Sequence, residues 1–103
     1  MNLDKLRECI KSGEYEWRQH TLNRIIERKI PLKSVIEVVI EGEVIEDYTE
    51  DKPFPSCLML RLIEGKPIHV VVSLDEKENT AYIITAYTAT LDKFEPDYKT
   101  RRK

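Results

Sequence analysis

The chain changes texture near Gly42. Before it, apolar residues recur at helical spacing; after it, short β-rich runs alternate with turn-like segments. The runs are Val44–Tyr48, Cys57–Ile63, Ile68–Leu74 and Thr80–Thr88, parted by Asp-Lys-Pro-Phe-Pro-Ser, Glu-Gly-Lys-Pro and Asp-Glu-Lys-Glu-Asn. Helices first and hairpin-like strands afterwards argue against a βαβ organisation. They predict an α+β fold with N-terminal helices packed on a mainly antiparallel four-stranded sheet. A chain of 103 residues with 41% hydrophobic content can bury one core, so residues 1–103 are read as a single domain.

Within the helical half, Asn2 is placed to cap a first helix carrying Leu3, Leu6 and Ile10, and Ser12-Gly13 to stop it. The spacing predicts a second helix from about Tyr15 to Arg28, with Trp17, Leu22, Ile25 and Ile26 on one face and Pro31 beyond its end. His20, Arg24 and Arg28 then form a polar stripe at successive i, i+4 steps. Leu32–Ile40 is rich in β-branched residues, yet Leu32, Val35, Ile36, Val39 and Ile40 keep the i, i+3, i+4 rule. With Gly42 following, this segment is read as a helix.

The longest apolar runs fall far short of the ~20 residues that span a bilayer, and MNLDKLRECI is no signal peptide, so a cytoplasmic protein without a membrane partner is expected. Cys9 and Cys57 are expected as free thiols. No paired Cys or His spacing suggests zinc, and no phosphate loop, nucleophile elbow or helix-turn-helix signature is present, so neither a cofactor nor a metal is expected. The formal net charge of −2 gives no general signature of nucleic-acid binding, but it conceals a basic C-terminus and an acidic stretch from Glu41 to Asp51.

Two histidines stand out, because imidazole both accepts and donates protons near neutral pH. Alternation in the third β-rich run sends Ile68, Val70, Val72 and Leu74 to one face and His69, Val71 and Ser73 to the other. On that pattern the loss of His69 opens no core cavity. In the last strand the same rule groups Ala81, Ile83, Thr85 and Tyr87. If the second helix crosses the sheet edge, His20, Arg24, His69, Thr85 and Tyr87 meet in one open cleft. The plainer reading is a satisfied core histidine and a solvated helix face, with Thr85 and Tyr87 as ordinary strand residues.

The order of pieces resembles a known family. His20-x-x-x-Arg24 on a helix, Gly42-Glu43, Asp51-Lys52-Pro53-Phe54-Pro55-Ser56, Pro67-Ile68-His69-Val70-Val71, Thr85-x-Tyr87 and a basic tail with Arg101 are similar to the domain-of-unknown-function family 4258, from about Trp17 onward. That family resembles, remotely, the RelE-like toxin ribonucleases. The resemblance implies a RelE/barnase-like fold, RNA as substrate and a possible antitoxin protein as partner. Metal-independent cleavage by 2′-hydroxyl attack needs a base, an acid and a cation beside the phosphate. The resemblance then implies His20 and His69 in proton transfer, Arg24 on the phosphate, and Thr85 and Tyr87 orienting substrate. Arg28, Arg61, Lys99, Arg101 and Arg102 become candidate RNA contacts. Arg61 stands where the family often has glycine. The alternative is a non-catalytic module that binds a protein or ligand.

Overall fold

The structure, a computed structural model, describes all residues from Met1 to Lys103. The first helix, α1 (Leu3–Lys11), starts as expected: Asn2 Oδ1 accepts from Lys5 N at 3.0 Å, and Leu6, Cys9 and Ile10 turn inward. Gly13 takes a left-handed φ of +82° and ends it. The expected long second helix does not follow. Tyr15–Trp17 is instead a short strand, β1, and the helix α2 spans only Gln19–Glu27. Aromatic residues at i, i+2 suit a strand, and the free edge of the last strand supplies a ladder, with Tyr15 beside Ala81 and Trp17 beside Ile83 in parallel register. Trp17 therefore reaches the core from a strand. The buried face of α2 is Thr21 and Ile25, while Ile26 is 61% exposed.

Helix α3 (Leu32–Glu41) forms as its spacing predicts, because Val35, Val38 and Val39 are fully buried against the sheet and packing overrides β-branched propensity. Four antiparallel partners follow: β2 (Glu43–Tyr48), β3 (Ser56–Ile63), β4 (Lys66–Asp75) and β5 (Thr80–Thr88). The sheet has five strands in the order β1-β5-β4-β3-β2, one more than the sequence suggested, with only β1 parallel. Glu64 and Gly65, at φ of 51° and 80°, make the two-residue β3–β4 turn.

Helices α1 and α3 cover one face, where Leu6, Ile25, Val35, Val39, Met59, Val70, Val72 and Ile83 share the main core. The other face is partly covered by the segment after β5, whose Ala89 and Phe94 pack on Leu58. No helix is long and apolar enough to cross a membrane. Both cysteines are free and buried, and burial pushes the Cys57 thiol up to about 11.

Gly42 ends α3 for a reason other than a left-handed cap. Its φ and ψ, −78° and 178°, are open to any residue. The constraint is space: a Cβ there would meet the Leu60 carbonyl oxygen at 2.7 Å and also the Val38 carbonyl oxygen. Arg7 of α1 donates to the Val39 and Gly42 carbonyls and so satisfies the helix end. Gly42→Ala should destabilise the fold by about 1–3 kcal/mol, the usual cost of overpacking, read as a lower urea midpoint at unchanged slope.

Candidate functional site

On the face away from α1 and α3, β4 presents His69, Val71 and Ser73 as alternation requires, but β5 does not keep step. Val71 pairs with Thr85 while Val72 pairs with Ile83, leaving Ile84 as a bulge. The bulge splits the grouping read from the sequence. Ala81 and Ile83 stay with the main core, whereas Tyr82, Thr85 and Tyr87 lie opposite Ser73, Val71 and His69. It is this irregularity that brings Thr85 and Tyr87 to His69.

His69 lies fully buried. Its Nε2 is 2.7 Å from the carbonyl oxygen of Tyr98 and its Nδ1 is 3.2 Å from the Tyr87 hydroxyl. A carbonyl only accepts, so Nε2 carries a proton; in the neutral ring Nδ1 then accepts from Tyr87. The ring also meets Phe94 edge-on at 4.6 Å between centroids. Burial holds the imidazole below its ordinary value, against the Tyr98 bond that favours the charged form. Burial likewise raises the Tyr87 phenol.

Around this pair the C-terminal segment is tied down by charge. Arg101 grips the Glu46 carboxylate with two nitrogens at 2.8 and 3.1 Å and lies 4.9 Å from the Phe94 ring centre. Tyr48 also donates to Glu46. Burial works to raise the Glu46 carboxyl, but the bonds from Arg101 and Tyr48 prevail and hold it low. Lys99 pairs with Glu43 at 2.9 Å and Arg102 with Glu95 at 3.2 Å.

Helix α2 runs beside β5 in the same direction. Thr21 Oγ1 donates to the Ile84 carbonyl at 3.2 Å, and Arg28 donates to the Ala86 carbonyl at 2.8 Å and to Thr85 Oγ1 at 3.3 Å. His20 is exposed and lines a depression at the β1–β5 edge together with Trp17, Phe54 and Tyr82. Arg24 is exposed and forms no ion pair.

Four of the expected site residues thus gather along β5 and its flank: His69, Tyr87, Thr85 and Arg28. The expected open cleft holding both histidines is not formed, because His69 has no exposed surface and does not line the depression that His20 does. Arg61 lies apart, bound to Glu37 of α3 at 2.9 Å. Sequence reasoning missed Glu46, Phe94 and Tyr98. Alternation along β2, which puts Glu46 on one face with Tyr48, is a signal for Glu46 alone; Phe94 and Tyr98 lie in a segment without a period to place them.

The expectation that losing His69 opens no cavity is also corrected, since the ring fills the space between Phe94 and Tyr87. His69→Ala should cost on the order of 2–4 kcal/mol in denaturant melts. Because the folded ring binds its proton less tightly than the unfolded one, the unfolded state takes up more protons as pH falls below about 6.5, and stability drops there. The bonds that lower Glu46 add stability above about 4.5 that is lost only in stronger acid. In melting curves against pH, His69→Gln should lose the first of these two declines and keep the second.

No curated protein matches this chain. The family described as Domain of unknown function (DUF4258) matches it over residues 17–88, from the end of β1 through β5 and so across both histidines, the bulge and the α2 stripe. The chain belongs to the DUF4258 family.

Proposed function

We propose that this protein is a cytoplasmic, metal-independent ribonuclease that cleaves RNA by attack of the 2′-hydroxyl on the adjacent phosphate. The observation that carries this reading is the Tyr87 hydroxyl held on His69 Nδ1 beside Thr85 and Arg28. A half-buried phenol backed by a neutral imidazole, itself fixed by the Tyr98 carbonyl, is poised to pass a proton. His69 therefore works through Tyr87 and does not touch substrate.

The steps follow from this arrangement. The 2′-oxygen loses its proton and bonds to phosphorus; the bond from phosphorus to the 5′-oxygen breaks, and that oxygen takes a proton. Tyr87 with His69 serves one transfer and solvent water the other, since His20 opens onto a separate depression. Arg24, with no acid partner, is free to meet the phosphate as charge builds. Thr85, held by Arg28, orients the ribose. The resemblance to RelE-like toxins supports an antitoxin protein as the restraining partner. Lys99, Arg101 and Arg102 already hold acids or carbonyls, so an RNA backbone competes with Glu43, Glu46 and Glu95 for them.

The burial of His69, with both nitrogens satisfied internally, favours a second reading: a non-catalytic protein- or ligand-binding module in which the ring is purely structural. Incubation of purified protein with RNA in EDTA separates the two. A 2′,3′-cyclic phosphate end is expected. Arg24→Ala should slow cleavage about 100-fold or more while melting stays near wild type, and Tyr87→Phe should slow it as much while also costing about 1–3 kcal/mol of stability, because His69 Nδ1 loses its donor. Cleavage that vanishes in EDTA and returns with one metal would overturn the mechanism, and no cleavage under any condition would leave the binding module.

A further inference from the structure

The depression beside His20 is not used by the chemistry above. It has a volume of about 470 Å³ and lies where the end of β1 meets the Pro53–Phe54 loop. The Phe54 and Tyr82 rings stack there in parallel, 5° apart in plane and 5.6 Å between centroids, and Trp17 and Ile84 add apolar wall. The polar lining is sparse and specific. Glu16 sits opposite Tyr82 in the β1–β5 register, and neither it nor Arg18 enters an ion pair within the chain. Ser73, a residue only 6% exposed, also lines the depression.

We propose that this depression is a nucleobase-binding subsite that prefers guanine, formed by the Tyr82–Phe54 stack and the Glu16 carboxylate. Flat aromatic pairs at a protein surface bind bases by stacking, a contribution of about 1–3 kcal/mol per base. A carboxylate accepts paired N–H groups, and among the neutral bases guanine offers a ring N–H and an amino group side by side. Ser73 supplies a further hydroxyl to the base edge. Arg18 on the rim places positive charge, and His20 a hydrogen-bonding ring, where the nucleotide's phosphate leaves the pocket. Tyr82 and Thr85 share one face of β5, about 10 Å apart at strand spacing, so the bound base belongs to a nucleotide close to the scissile phosphate. The proposal rests on the ribonuclease reading for its place along an RNA strand, but the binding itself is separately measurable.

Trp17 is the only tryptophan in the chain and lines the depression, so its fluorescence reports occupancy. GMP, AMP, CMP and UMP are titrated into the full-length protein. Saturable quenching, strongest with GMP, is expected. Tyr82→Ala should weaken GMP about 5- to 150-fold, the stacking contribution converted to affinity. Glu16→Gln, on an exposed position that leaves packing alone, should bring GMP down to the level of AMP. Absence of saturable quenching by any of the four, or equal affinity for all four, overturns the proposal. GMP-selective binding by a protein that cleaves no RNA keeps the subsite and removes the nuclease; RNA cleavage without mononucleotide binding does the reverse.

Discussion

A buried imidazole imposes two demands at once: each ring nitrogen needs a partner, and the ring must stay neutral unless an acid compensates for its desolvation. In this protein the demands are met by groups far apart in sequence, the Tyr87 hydroxyl on β5 and the Tyr98 carbonyl in the C-terminal segment. That arrangement, with Phe94 edge-on to the ring, fixes the last fifteen residues to the sheet. The exposed pairs Lys99–Glu43 and Arg102–Glu95 contribute little by comparison, since such ion pairs barely exceed the cost of ordering their side chains. The two-pronged Arg101–Glu46 pair, stacked on Phe94, is the exception. The covered face therefore depends on the imidazole, and whatever disturbs His69 is felt at Tyr87.

The bulge at Ile84 determines what that imidazole can do. Without it, Tyr87 would point with Ala81 and Ile83 toward α1 and α3, and His69 Nδ1 would have no donor. This single irregularity was not legible, because Tyr-Ile-Ile-Thr-Ala-Tyr carries no glycine to mark it. What was legible followed from packing. The apolar positions of α3 fit one buried face, so the helix formed despite its β-branched content, and the Glu64-Gly65 turn was plain from composition. The α+β class and the antiparallel pairing of β2 to β5 came from the same patterning.

The misreadings share one cause: a short segment takes its structure from a partner that sequence spacing does not show. Tyr15 and Trp17 fit a helix face or a strand face equally, and only the vacant edge of β5 decides for strand. The C-terminal cations read as a free basic tail, yet Glu43, Glu46 and Glu95 hold them in place. The candidate site was legible as a set of residue types and not as a constellation. His20 and His69 have the right chemistry, but a strand position under a covering segment and a position in the first turn of a helix give them different access to solvent.

The same edge explains why two arginines on one stripe have different roles. Beyond Trp17, β1 no longer covers β5, and the carbonyls of Ile84 and Ala86 would face solvent or another chain's strand. Helix α2 closes that gap with side chains, Thr21 on the first carbonyl and Arg28 on the second. Arg28 thus completes the sheet edge and holds Thr85, and its removal would loosen both. Arg24, one turn earlier, has no such duty, so its charge is uncommitted in the free protein. A cation that must answer charge developing on a phosphate works best when no resident acid has to be displaced first. By that criterion Arg24, together with His20 on the same helical stripe, is the part of α2 built for a ligand, and Arg28 is the part built for the fold.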